Sequence, residues 1–154
     1  MPIADVMANH LRRQIRERAA ATLTGLATTG SNVFQSRIYP LATAALPGLT
    51  IYTNAETVAL TTMGATRTLH RDLELVVEGF AAVSTDLEDT LDQIGKEVET
   101  ALAGDIGLNS LALDSYLTSV EVTFSGDGEK PAGLIRHTYA VLYRTAENAP
   151  DVAT

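Results

Sequence analysis

Apolar residues recur at two different spacings along this chain, and the order of those spacings limits the fold more than any other feature. At spacings of four and three, Ile3, Met7, Leu11, Ile15, Ala19, Leu23 and Leu26 share one face of a helix predicted over residues 3–28. Arg12, Arg13 and Arg16 fall mostly off that stripe, and Gly30 can take the left-handed conformation that ends a helix. The same spacing returns at Leu87, Leu91, Ile94, Val98 and Leu102. This predicts a second helix, opened by a capping box of Thr85 and Glu88 and ended at Gly104.

A period of two marks the rest. Leu69, Leu73, Leu75 and Val77 alternate with His70, Asp72, Glu74 and Glu78, as in a strand with one wet face. Shorter strands are expected at 33–38, before Tyr39-Pro40, and at 49–53, after the turn Leu46-Pro47-Gly48. Val120, Val122 and Phe124 share a face of a strand over 117–124. Ile135, His137, Tyr139, Val141 and Tyr143 share a face of one over 134–144, and these two segments should pair as a hairpin. Residues 54–66 lack a clean period and read as a long loop or arm, 105–116 as a connector, and 146–154 as a loose tail. The expected fold is α+β: a mostly antiparallel β-sheet with two α-helices packed on one face, in a single domain spanning 1–154.

Composition narrows the chemistry. The 154 residues are 45% hydrophobic without a run of about eighteen apolar residues, so no membrane-spanning helix is expected. The first eighteen residues become charged where a signal peptide would be apolar. There is no cysteine, so disulfides and thiolate metal sites are impossible and a reducing compartment is compatible. The net charge of −8 disfavours nucleic acid as a general partner, and the 5% aromatic content disfavours a base-stacking platform. The charge is uneven, however. His10, Arg12, Arg13, Arg16 and Arg18 crowd the first helix; Asp86, Glu88, Asp89, Asp92, Glu97 and Glu99 crowd the second. The two could be complementary between copies; the plainer alternative is a pair of solvated helix faces.

No catalytic constellation is legible. The chain carries no G-x-S-x-G elbow, no phosphate-cradling glycine loop and no paired-histidine metal motif. His70, Asp72 and Glu74 share a strand face, but neighbours there stand about 6.5–7 Å apart and need a ligand from another strand to hold a metal. Glu88 and Asp92 face the same way on the second helix, without an apolar cleft around them. His137 reads as a hydrogen-bonded core or interface histidine. The expectation is a non-enzymatic protein with no catalytic, cofactor-binding or metal-binding residue.

Several segments follow one another in a set order. They are Leu11-Arg12-Arg13-Gln14-Ile15 on the first helix, then Arg37-Ile38-Tyr39-Pro40-Leu41, then Leu46-Pro47-Gly48-Leu49-Thr50-Ile51-Tyr52. The long strand Arg71-Asp72-Leu73-Glu74-Leu75-Val76-Val77-Glu78 follows, then the acidic helix, then a closing strand ending His137-Thr138-Tyr139-Ala140-Val141-Leu142-Tyr143-Arg144. Together they resemble the tail-terminator family of long-tailed bacteriophages, which includes the lambda-type minor tail protein U. The resemblance covers nearly the whole chain and rests on the order and spacing of these segments. Residues 54–66 match no family pattern.

The resemblance implies a structural protein of the virion, in the tail or neck, assembled in the host cytoplasm. Its copies would form a homo-oligomeric ring, usually a hexamer, on the head-proximal end of the tail tube. The ring would stop tube polymerisation and meet the head-completion or stopper protein, with a lumen through which DNA can pass and no sequence-specific reading of it. No catalytic residues are implied. The interface residues singled out are Arg12, Arg13 and Arg16 on the basic helix, Asp89 and Asp92 on the acidic helix, and Val58, Leu60 and Met63 in the arm. The alternatives are another head–tail connector, a tail-tube subunit, or a small ligand-binding α+β domain.

Overall fold

In a computed structural model, residues 8–35, 45–83, 85–125 and 131–154 are described. The chain runs α1 (Leu11–Leu23), β1 (Val33–Gln35), β2 (Gly48–Leu60), β3 (Thr68–Ala82), α2 (Leu87–Ala103), β4 (Asp114–Ser125), β5 (Ala132–Ala146) and β6 (Ala149–Ala153). The six strands form one sheet in the order β1-β2-β3-β5-β4, and β6 adds to β5. Among the described strands only β1 and β2 pair in parallel. This is the expected α+β fold.

The helices cover one face. Leu11, Ile15, Ala19 and Leu23 of α1 and Leu91, Ile94, Val98 and Leu102 of α2 are buried in one core. They meet Leu49 and Ile51 of β2, Leu73, Leu75 and Val77 of β3, and Ile135, Tyr139, Val141 and Tyr143 of β5. Alternation explains the choice: every second residue of β3 and β5 points to the helices, so the period of two becomes one apolar face. Two glycines let α2 lie close. A Cβ on Gly79 would stand 2.6 Å from the Cγ2 of Ile94, and one on Gly95 would stand 3.1 Å from the Cδ1 of Ile135.

Five local expectations need correction. First, α1 ends at Leu23, short of residue 28. Thr24 turns extended while its hydroxyl donates to the Ala20 carbonyl at 2.7 Å, and Gly25 follows at φ +94. Leu26 therefore leaves the stripe and bridges to Gly30. At the other end, the imidazole Nδ1 of His10 caps the helix by accepting the Arg12 N–H at 3.0 Å. Ile3 and Met7 lie outside the described residues, as do 36–38 of the first strand and Tyr39-Pro40.

Second, residues 54–60 are not loop but the second half of β2. Asn54 and Ala55 together oppose Glu74, so a bulge separates Thr53 opposite Leu75 from Glu56 opposite Leu73. One extra residue flips the parity: Leu49 and Ile51 face the helices before the bulge, and Glu56, Val58 and Leu60 face that way after it. Only the residues between Leu60 and Thr68 make the connection.

Third, the capping box does not form. Asp86 caps α2 at φ 58 without a side-chain bond, which leaves Glu88 one position too early to reciprocate. Fourth, the connector after α2 is shorter than expected, because β4 begins at Asp114. Fifth, the chain's end is not loose. Beyond Leu142, where β4 stops, the edge of β5 is free, and β6 takes it with Ala153 opposite Thr145.

Candidate functional site

Three features outside the apolar core are candidates, and they differ in what they leave exposed. The first is a charged cluster where the bulge aims Glu56 under α1. Its Oε2 accepts from Arg12 at 2.8 Å and from Arg71 at 2.9 Å, while its Oε1 accepts from the Tyr143 hydroxyl. Arg71 also donates to the Thr145 hydroxyl at 3.1 Å, and its guanidinium lies over the Tyr143 ring. Burial, followed by the Glu56 carboxylate, pushes the Tyr143 phenol well above its ordinary range. Burial, then the nearby cations Arg12 and Arg71, push the His10 imidazole down. With every carboxylate oxygen engaged, this cluster staples α1 to β2, β3 and β5.

The second is a cleft of about 330 Å³ between the C-terminal half of α2 and the start of β4. Its floor is Tyr139, stacked on His137, and its walls include Glu99, Leu102, Ile106 and Leu117. His137 is 1% exposed and its Nε2 lies 2.9 Å from the Glu99 carboxylate. Burial and Glu99 push the Tyr139 phenol up, and its hydroxyl finds no hydrogen-bond partner among the described residues. The one hydroxyl nucleophile there, Ser115, donates to the Ile106 carbonyl at 2.7 Å, away from the histidine. On the opposite face of the sheet, Glu78 accepts from Tyr52 at 3.1 Å and Arg136 at 2.6 Å, and Arg136 reaches Glu121 at 3.8 Å. That row is a cross-strand ion pair. Among the described residues no cluster of three His, Asp or Glu could hold a metal.

The third is the pair of lateral edges. No strand among the described residues pairs with the outer edge of β4, nor with β2 beyond Ile51, where β1 ends. Val120, Val122 and Phe124 do share one face, as the alternation requires, yet each is exposed, Phe124 by 54%. At the far end of β2, Val58 and Leu60 are exposed, and Met63 in the following loop is 96% exposed. Unpaired edges invite another chain, and proteins normally blunt them with lysine or proline. Neither residue occurs in 52–60 or 114–125.

The structure separates the interface residues named from sequence. Val58, Leu60 and Met63 come together at the end of the β2–β3 hairpin. Asp89 and Asp92 are exposed on the first half of α2. Arg12 is turned inward to Glu56. Arg13 pairs with Glu17 one turn on at 3.1 Å, and Arg16 reaches Gln35 of β1 at 3.1 Å. Sequence reasoning missed the Glu56 cluster, whose partners lie up to 87 residues apart. It also missed the bare β4 edge, because a strand without lysine or proline reads as an interior one.

No protein-family model matches the chain, and neither does any curated protein. Among solved structures, a chain from the virion of a native gene transfer agent particle is similar at 14% identity and a TM-score of 0.43, over 91% of this chain and 98% of that one. A likeness that loose carries no argument about this chain.

Proposed function

We propose that the chain is a non-enzymatic structural subunit of a phage-type virion, a tail terminator whose copies close into a ring on the head-proximal end of the tail tube. The observation that carries the reading is a pair of edges that no described strand covers. Among the described residues, β4 on one side and the end of the β2–β3 hairpin on the other lack a strand partner, and each carries exposed large apolar residues. Two different surfaces on one subunit make a heterologous contact, and a heterologous contact that closes makes a ring. The resemblance of the ordered segments to the tail-terminator family supplies the place of the ring. The ring would meet the tube on one side and the head-completion protein on the other.

The enzyme reading lacks a chemical set among the described residues. The cleft by Tyr139 holds a histidine–carboxylate pair without an adjacent nucleophile, and its walls are largely apolar.

Light scattering across a concentration series, with electron microscopy of the same sample, tests the reading. Closed rings, or capture of the free subunit at one end of added tail tubes, are expected. Long filaments from the purified chain would favour a tube subunit. A monomer that ignores tubes at every concentration would overturn the virion reading.

A further inference from the structure

The exposed large apolar residues of the described chain fall into two groups and one stray, Val152. The larger group borders a groove between β4 and α2. Leu117, Val120 and Val122 stand opposite Tyr139, His137 and Ile135, so they point to the helix side of the sheet. On α2, Glu88, Asp92, Gly95 and Glu99 share one stripe. A Cβ on Gly95 would stand 3.3 Å from the His137 ring, and Glu99 bonds that ring, so the stripe overlooks β4. The groove thus has an apolar floor and an acidic wall, and the cleft over Tyr139, edged by Ile106, lies at one end of it. The smaller group is Val58, Leu60 and Met63, at the end of the β2–β3 hairpin on the opposite flank. We infer that the hairpin end of a second copy docks in this groove, with the Met63 side chain in the cleft over Tyr139.

Four observations point to that occupant. The first is reach. Thr68 stands opposite Ala146, whereas β4 begins opposite Leu142, so the hairpin extends four residues, about 13 Å, past the start of β4 before its loop adds more. The second is shape held in advance. The Thr61 N–H donates to the Thr68 carbonyl at 3.0 Å, the Thr68 N–H donates to the Thr62 hydroxyl at 2.7 Å, and Gly64 turns the loop at φ +115 beside Met63. An ordered tip loses little freedom on docking. The third is charge. The chain holds 19 Asp and Glu, yet none falls in 57–71, which carries Arg67 and His70 instead. Such a segment meets the acidic wall without repulsion. The fourth is the floor. The Tyr139 hydroxyl has no partner among the described residues, and an unbranched methionine suits an irregular apolar cleft, its sulfur a weak acceptor that favours an aromatic ring. Tip and groove lie on opposite flanks, so the contact is heterologous and passes from copy to copy. It requires strands inclined to the ring axis, with each hairpin pointing at the next subunit.

The inference rests on the ring reading, and two kinds of variant separate them. Met63 is 96% exposed, so Met63→Asp should leave the urea midpoint of the dilute chain unchanged. It sets a carboxylate against Glu99 and should raise the concentration needed for assembly, alone or on tubes, about tenfold or more, while Met63→Leu stays near wild type. The chain has no cysteine of its own. Met63→Cys with Ile106→Cys should give covalent multimers on mild oxidation of assembled protein, and each single variant should stop at dimers. Within one subunit, Leu69 beside the hairpin end and Ser115 beside Ile106 are four residues along the sheet and two strands across, about 16 Å, beyond a disulfide. Normal assembly by Met63→Asp would overturn the inference and leave the ring reading intact. Lost assembly in that variant, without linking beyond controls in the double-cysteine chain, would seat the hairpin on another surface or partner and overturn it equally. A wild-type chain that assembles neither alone nor on tubes would overturn both.

Discussion

β4 and β5 lie side by side in the same sheet and carry the same alternation, yet they meet opposite fates. In β5 the alternating face of Ile135, His137, Tyr139, Val141 and Tyr143 is buried under the helices. In β4 the equivalent face of Val120, Val122 and Phe124 is open, and none of its twelve residues is fully buried. Alternation announces that a face is to be covered; it does not say by what. For β5 the cover is α2, drawn close by Gly79 and Gly95. For β4 nothing in the described chain supplies it, and in the proposed ring a second copy would.

Substitutions test this contrast. The largest loss is expected where burial and charge coincide. Glu56→Ala leaves Arg71 buried without its carboxylate and should cost about 3–5 kcal/mol in urea denaturation of the dilute protein. A loss below about 1 kcal/mol would show these charges already solvated. Next comes the contrast itself. Ile135→Ala in β5 should cost about 2–5 kcal/mol, whereas Val122→Ala in β4 should stay within about 0.5 kcal/mol. Equal losses would erase the distinction between the strands in the free subunit. Val122→Lys should likewise leave the dilute protein's stability within about 0.5 kcal/mol while abolishing assembly seen by light scattering, because an edge lysine resists pairing. Rings of normal mass from that variant would place the contact elsewhere.

The smallest effect concerns the latch between α1 and the end of α2. Burial alone would raise the Asp105 carboxyl, but hydrogen bonds from Arg18, Thr22 and the Asn109 N–H outweigh it and hold the carboxyl below its ordinary range. A carboxyl lowered by folding contributes stability that is fully present above its unfolded pKa, about 4, and fades as pH falls through the lower folded value. Asp105→Asn should therefore flatten the acid limb of the stability profile and leave its slope near neutrality unchanged. An unaltered acid limb would remove Asp105 from the account.

Much of the fold was legible because β3 and β5 keep one apolar phase over long stretches, and α2 keeps its four-and-three stripe. What hid was whatever depended on a neighbour. The bulge at Asn54 and Ala55 inverted the parity of β2, so Val58 and Leu60 looked aperiodic when they were in phase with each other and out of phase with Ile51. β6 forms because β4 stops at the level of Leu142 and leaves an edge, a fact about β4 and not about residues 149–153. The early end of α1 turned on Thr24 bonding back to Ala20 just before Gly25. In the candidate site, Val58, Leu60 and Met63 could be singled out as apolar residues without a home. Arg12 could not be read as spoken for, because Glu56 lies 44 residues away in the chain. The exposure of β4 was equally hidden, since alternation looks the same on a covered strand and a bare one.

The most direct test of the central claim is backbone hydrogen exchange on dilute and on assembled protein. Amides in 114–125 and 52–60 should slow on assembly, while those of β5, already paired on both sides over most of its length, change little. Rings that form while β4 exchanges as fast as it does in the free subunit would contradict it.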